Sequence, residues 1–181
     1  MVNATSCAWR RRVICFGVLG ALTVLAPAGP ATASDHQAAP PAPFVTVSGH
    51  RRSTAGLQGH RTFLWLLSTW CGSCAAGLKA VAEHAGQLRN DGLRVVILRN
   101  YKDDGYPGPG IRAFFARAVP GFRAPSNWTL GQASKQLDQS YNPRHYPDVY
   151  FLIDSGGDVR AVGSAPAATM GRILHFAKSS N

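Results

Sequence analysis

Two cysteines stand three positions apart in the stretch STWCGSCAAG, Ser68 to Gly77. Cys71 and Cys74 follow an apolar run and precede a stretch in which apolar residues recur every three or four positions. This pattern predicts a buried strand that delivers Cys71 to the first turn of a helix. Helix N-termini carry free N–H groups and the positive end of the helix dipole, which stabilise a thiolate. We therefore expect Cys71 to be a nucleophile and Cys74, one turn further on, to be its resolving thiol.

The residues around the pair suit this chemistry. Gly72 lets the backbone turn at the helix start without a side chain over the sulfur, and Ser73 completes the CGSC motif. A bridge between cysteines so close in sequence removes little entropy from the unfolded chain, so an inert structural disulfide is the weaker alternative. A zinc ion needs about four ligands, and His84, the nearest histidine, lies ten residues beyond Cys74. We expect a redox-active Cys71–Cys74 disulfide, no bound metal and no other cofactor.

The first 33 residues have the pattern of an export signal. Three consecutive arginines, Arg10 to Arg12, precede the apolar run Val13–Ala26, which is shorter than a typical membrane span. Ala31 to Ala33 form a cleavage site of the A-x-A type. We expect residues 1–33 to be a signal peptide and the protein to be exported, periplasmic or otherwise extracytoplasmic. An uncleaved signal that anchors the protein in the membrane is the alternative.

Export sets the redox environment of the remaining cysteines. Cys7 and Cys15 lie inside the predicted signal, so the mature chain keeps only Cys71 and Cys74. Extracytoplasmic compartments are oxidising, and a cysteine pair that persists there is either a disulfide or a working redox couple.

Composition and charge narrow the class of partner. Hydrophobic residues make up 45% of the 181 residues and charged residues 15%, which is typical of a folded domain and not of a disordered chain. The formal net charge is +10. The basic residues are nevertheless scattered, with no basic stripe interleaved with aromatic residues, which argues against nucleic-acid binding.

The rest of the chain has the pattern of one α/β domain. The Ala/Pro-rich stretch 34–43 predicts an extended, mobile linker, and the domain is expected over residues 44–181. Nearly continuous apolar runs predict strands buried on both faces, and apolar residues at three- and four-residue steps predict helices. The predicted strands include 44–49, 62–68, 93–99, 148–154 and 159–163, and the predicted helices cover 71–90, 111–119, 132–140 and 165–178.

Residues 62–74, TFLWLLSTWCGSC, resemble the strand–WCxxC–helix segment of the thioredoxin superfamily. The layout of residues 44–178 is similar to that of exported TlpA/ResA-like thiol–disulfide oxidoreductases, with Leu57 to Gly59 in the turn before the strand. The resemblance implies a thioredoxin-like fold. It would have a central mixed β-sheet flanked by helices, an extra N-terminal hairpin and a central insertion at 100–128.

The same resemblance assigns further site residues. Pro147 matches the family's cis-proline, whose preceding residue, here Tyr146, uses its backbone to pair with the substrate chain. The resemblance also implies that Trp70 packs beside the disulfide. The loop 101–110 within the insertion either rims the site or is an ordinary solvent loop.

Two positions depart from the family pattern. Trp65 stands where thioredoxins have a buried aspartate, and Gly77 stands where several ResA-like proteins have a glutamate. Those carboxylates accept the proton of the resolving thiol. The sequence therefore identifies no general base for Cys74, and it leaves the redox potential open.

The resemblance implies an exported enzyme that exchanges thiols and disulfides of protein clients, as a reductase of the TlpA type that could serve cytochrome c maturation. A membrane thiol reductant or oxidant would be its redox partner, and a monomer is expected. Two alternatives stay open. The same chemistry could run in reverse and form disulfides, or the chain could be a non-catalytic binding protein with a structural disulfide.

Overall fold

The chain folds around one eight-stranded β-sheet with helices on both faces. A computed structural model describes residues 37–179. The strands are β1 (Gln37–Ala38), β2 (Pro43–Thr46), β3 (Arg51–Ser53), β4 (Thr62–Leu67), β5 (Arg94–Arg99), β6 (Trp128–Ala133), β7 (Asp148–Ile153) and β8 (Asp158–Gly163). The helices are α1 (Gly72–Glu83), α2 (Ala85–Asn90), α3 (Ile111–Ala118), α4 (Lys135–Tyr141) and α5 (Pro166–Lys178), with 3-10 turns at Thr54–Leu57 and Tyr101–Gly105.

The sheet is mixed, as the sequence predicts. Its strand order is β1-β8-β7-β4-β5-β6-β2-β3. The central strands β4, β5 and β6 are parallel, whereas β7 pairs antiparallel with β4. The predicted N-terminal hairpin is confirmed: β2 and β3 pair with each other, and β2 adds to the edge of β6.

Alternate residues of the central strand β4 supply two separate cores, because successive side chains of a strand point to opposite faces. Phe63, Trp65 and Leu67 pack with α1, α3 and α5 on one face. Leu64 and Leu66 pack with α4 and the N-terminal hairpin on the other. Every residue of β4 is buried, so the strand that leads to the cysteines has a fixed position.

The described part of the predicted linker belongs to the domain, contrary to the expectation of a mobile segment. Gln37 and Ala38 pair with β8, and Pro43 begins β2. Ala42 is buried, and its N–H donates to Thr54 Oγ1 at 2.8 Å. Proline and alanine favour an extended chain here, which is also the conformation that an edge strand requires. The predicted signal, residues 1–33, lies outside the described residues.

The single helix predicted over 71–90 is two helices. α1 ends at Glu83 and α2 begins at Ala85, with His84 between them at φ −98° and ψ 7°. The His84 ring Nδ1 lies 2.9 Å from the Ala80 carbonyl oxygen, which would accept the next backbone bond of a continuous helix. The side chain thus replaces a helical hydrogen bond. Between residues 37 and 179, no helix is long and apolar enough to cross a membrane.

Helix α1 lies close to β4 because it has a glycine at the contact. A Cβ atom at Gly77 would lie 3.0 Å from the Trp65 ring and 3.1 Å from Pro166 Cδ. The indole therefore fills the space that a side chain at position 77 would need. Trp65 and Gly77, the two positions that depart from the family pattern, therefore pack directly against each other.

We expect Gly77→Ala to lower the free energy of unfolding by about 1–3 kcal/mol, because an added methyl group overpacks this contact. The matched control is Gly86→Ala in α2, where nothing lies within 4 Å of the new Cβ. That change should stabilise by up to about 1 kcal/mol through helix propensity. Urea unfolding followed by circular dichroism measures both. Equal stability of the two variants would contradict the tight contact.

Candidate redox site

The two cysteines lie at the start of α1, directly beyond the end of β4. Cys71 is the N-cap residue, and its Sγ accepts the backbone N–H of Cys74 at 3.2 Å. Ser73 Oγ lies 3.0 Å from the same sulfur. Both cysteines are free thiols in this structure. Cys71 Sγ therefore lies at the N-terminus of α1, where it accepts a backbone N–H of the helix.

The two thiols have different surroundings. Cys71 is 6% exposed, whereas Cys74 is fully buried and donates its S–H to the Pro147 carbonyl at 3.2 Å. Burial raises the pKa of the Cys74 thiol, and the hydrogen bond with Cys71 and the charge of Asp148 raise it further. A backbone hydrogen bond with Ser68 has a smaller, opposite effect. Cys74 is therefore the thiol that stays protonated.

The sheet register brings Pro147 to the thiols. Because β4 and β7 are antiparallel with Leu67 opposite Asp148, the residue before β7 lies beside the residue after β4. The backbone N–H of Ser68 donates to the Pro147 carbonyl at 2.8 Å. That carbonyl thus accepts from the β4 extension and from Cys74 together, which fixes the proline loop against α1.

The backbone of Tyr146 differs from the expectation that it is open to a substrate chain. Its N–H donates to Asn142 Oδ1 at 2.8 Å. Its carbonyl accepts from Asn142 Nδ2 at 2.8 Å and from Asn100 Nδ2 at 3.1 Å. The Tyr146 ring, which is 49% exposed, is the part that faces solvent. Neither asparagine was singled out by sequence reasoning.

Asp148 is a buried carboxylate that sequence reasoning missed. Its Oδ1 accepts from Trp65 Nε1 at 2.8 Å, and its Oδ2 accepts from the Ala165 N–H at 3.0 Å. Burial raises the pKa of the Asp148 carboxyl, and these two hydrogen bonds lower it by less. The acidic group missing from position 65 thus enters from the neighbouring strand. An aspartate directly after Pro147 and before an apolar strand was the available signal.

The loop 101–110 contacts Thr69 and Trp70, the two residues that precede Cys71. The Asp103 carboxylate accepts from the Thr69 N–H at 2.8 Å and from Thr69 Oγ1 at 2.7 Å. The Asp103 carbonyl accepts from Trp70 Nε1 at 2.9 Å. The Trp70 and Tyr106 rings are in contact, with centroids 4.9 Å apart, and both are more than 40% exposed. The insertion therefore positions the residues that immediately precede Cys71.

Gly72 and Ser73 lie exposed at the start of α1, on the solvent side of the buried sulfurs. No atom comes within 4 Å of a Cβ built on Gly72. The access to Cys71 is therefore open at this point, and the exposed rings of Trp70 and Tyr146 are the large apolar groups that the site residues present to solvent.

We expect Asp148→Asn to shift the reactivity of Cys74 to lower pH, because the Asp148 charge raises the pKa of this thiol. The measurement is the pH profile of Cys74 alkylation by a small reagent, read by peptide mass spectrometry in a Cys71→Ser background. Asp154→Asn, at the opposite end of β7, is the matched control. An unchanged profile in Asp148→Asn would show that the carboxylate does not act on Cys74.

Comparison with known proteins supports the fold. No protein-family model matches the sequence, and a search of curated proteins finds no relative. A solved thiol:disulfide interchange protein of the thioredoxin family from Chlorobium tepidum has a TM-score of 0.55 and 22% identity, over 80% of this chain and 97% of that one. A secreted Mycobacterium tuberculosis disulfide oxidoreductase, described as homologous to E. coli DsbE, has a TM-score of 0.55 and 20% identity, over 75% and 92%.

Copper-bound yeast Sco1 is also similar, with a TM-score of 0.56 and 12% identity over 80% of this chain and 95% of that one. Similarity at this level of identity concerns the arrangement of the backbone. The predicted fold is confirmed: this chain has the thioredoxin-like fold, with a cysteine pair at the start of its first helix.

Proposed function

We propose that this protein is an exported thiol–disulfide oxidoreductase of the TlpA/ResA type that reduces disulfides of protein clients. The observation that carries the proposal is the unequal environment of the two thiols. Cys71 caps a helix and accepts an N–H on its sulfur, whereas Cys74 is buried beneath the Pro147 carbonyl. Such an asymmetry suits one attacking and one resolving cysteine.

The proposed reaction moves two electrons from the dithiol to the client. The Cys71 thiolate attacks one sulfur of the client disulfide, and the other client sulfur leaves as a thiolate. Cys74 then loses its proton and attacks Cys71 Sγ in the mixed disulfide. The client leaves as a dithiol and the enzyme keeps a Cys71–Cys74 disulfide, which an external dithiol donor must reduce again.

Asp148 is the group that we assign as proton acceptor for Cys74. It is the residue after Pro147, whose carbonyl accepts the Cys74 S–H. Its charge already acts on the pKa of Cys74, and burial raises the pKa of its own carboxyl towards the range of an effective base. This assignment supplies the general base that positions 65 and 77 lack.

Client contact would come from the exposed rings around the thiols. Trp70 and Tyr146 flank the pair, and Gly72 and Ser73 leave an open approach to Cys71. Pro147, which we expect in the cis form, would hold Tyr146 in place. Strand addition along the Tyr146 backbone requires Asn142 to release it, so we assign the Tyr146 side chain as the first contact.

The export assignment rests on the predicted signal at residues 1–33, and the likeness to a secreted oxidoreductase supports it. A reductase outside the cytoplasm needs a supply of electrons, so a membrane thiol reductant is the expected partner. The redox-active disulfide is the only cofactor that the proposal requires, and the proposed protein acts as a monomer. Maturation of cytochrome c is one process that a reductase of this type could serve.

We expect the wild-type chain to accelerate the reduction of insulin by a dithiol donor. Cys71→Ser should abolish the acceleration, whereas Cys74→Ser should accumulate a mixed disulfide with the client through Cys71. With all variants made in the unprocessed chain, Cys7→Ser with Cys15→Ser is the matched control and should keep full activity. A wild-type rate equal to that of the donor alone would refute catalysis and leave a binding protein with a structural disulfide.

Thiol trapping across glutathione buffers should give the pair a potential near that of thioredoxin, about −270 mV, if the protein is a reductase. A potential near that of the strong oxidant DsbA, about −120 mV, would reverse the proposed direction. The protein would then form disulfides in its clients with the same two cysteines.

A further inference from the structure

Two buried carboxylates face each other beside the loop that leads to Tyr146. Asp104 lies in the 3-10 turn after β5, and Asp138 lies on α4. Their side chains are only 3% and 4% exposed. Burying a charged carboxylate is costly unless it is paired or binds a metal ion. The arrangement therefore needs a partner that balances two adjacent acids.

Hydrogen bonds within the protein reach only some of the oxygens of these two carboxylates. Asp104 Oδ2 accepts from Ser68 Oγ, and from Asn100 Nδ2 at 2.7 Å. Asp104 Oδ1 and Asp138 Oδ1 are buried without a hydrogen-bond partner. Buried polar atoms in native proteins nearly always have a partner. One oxygen of each carboxylate is therefore left for a further ligand.

His145 completes the cluster from the solvent side. Its Nδ1 lies 3.4 Å from Asp138 Oδ2 and 3.8 Å from Asp104 Oδ1, and the side chain is 64% exposed. One imidazolium balances at most one of the two carboxylates. Burial raises the pKa of the Asp138 carboxyl, and the nearby Asp104 charge raises it further. His145 and a backbone hydrogen bond from Tyr101 lower it by less.

The three donors have the spacing of a metal site. One ligand atom each from Asp104, Asp138 and His145 can be chosen so that all lie within 4.8 Å of one another. Ligands about 2.0–2.2 Å from a tetrahedral zinc ion are roughly 3.3–3.6 Å apart. The His145–Asp138 and His145–Asp104 distances of 3.4 and 3.8 Å are close to that range. One imidazole and two carboxylates suit zinc, with a fourth position left for water.

We propose that Asp104, Asp138 and His145 form a divalent-metal site, with Zn²⁺ as the ion that fits best, separate from the cysteine pair. A cation there would join three segments that are distant in sequence: the turn after β5, helix α4 and the residue before Tyr146. It would thereby hold the loop that carries Tyr146 and Pro147. The thiols take no part in this site.

The test is calorimetric titration of ZnCl₂ into the full-length chain with all four cysteines replaced by serine, because thiols would otherwise bind the metal. We expect saturable binding of one ion per chain and a rise in the unfolding temperature with zinc. His145→Asn should weaken binding at least tenfold. Asparagine tolerates the left-handed backbone at this position, φ 53°, so the variant should fold normally.

His60→Asn is the matched control, an exposed histidine next to the start of β4, whereas the proposed site lies beyond the end of that strand. It should bind zinc as tightly as the parent. Asp138→Asn should lose binding while keeping a native circular dichroism spectrum. Absence of saturable binding in the parent, or a loss below tenfold in His145→Asn, would overturn the proposal and leave a carboxylate pair that shares a proton.

Discussion

The antiparallel register between β4 and β7 is the constraint on which the rest of the site depends. Leu67 lies opposite Asp148, so the chain leaving one strand meets the chain entering the other. The backbone bond from Ser68 to Pro147 extends this pairing by one step. A shift of one residue would turn each side chain of β7 to the other face of the sheet. It would remove Asp148 from Trp65 and the Pro147 carbonyl from Cys74.

The burial of acids in a basic chain is the second organising feature. Of the eight acidic residues within the described part of the chain, four have buried side chains: Asp103, Asp104, Asp138 and Asp148. All four lie near the end of the sheet at which β4 ends. Asp103 is satisfied by Thr69 and by an ion pair with Arg99 at 3.2 Å. Asp148 is satisfied by two N–H donors. Asp103 and Asp148, which have these partners, shape the thiol site. Asp104 and Asp138 each keep one buried oxygen without a hydrogen-bond partner.

The sequence predicts well the features that arise from local pattern. The apolar run before Cys71, the helical pattern after it and the first strand follow from side-chain periodicity, whereas the N-terminal hairpin was implied by the family resemblance. The proximity of Pro147 to the cysteines followed only from the family resemblance, because a strand pairing over such a distance leaves no local trace. The structure confirms the fold and brings these groups together.

The features that were missed depend on contacts between distant segments. Asp103 reaches Thr69 only because Lys102, Asp103 and Asp104 adopt left-handed backbone conformations, with φ between 50° and 58°, which propensity does not predict for three successive residues. Residues 37–43 are held because β1 pairs with β8 and β2 pairs with β6. An Ala/Pro-rich composition does not predict such pairing with distant strands. Asp148 was overlooked because its role is set by the strand opposite it.

The hydrogen bond between Trp65 and Asp148 has an optical consequence. The indole is fully buried and donates its N–H to the Asp148 carboxylate, whose charge raises the pKa of the Cys74 thiol. The emission of an indole responds to the charge at its N–H, and solvent does not reach this ring. The intrinsic fluorescence of Trp65 should therefore change as the carboxylate gains or loses a proton. The protein carries its own spectroscopic reporter of that event, without any added label.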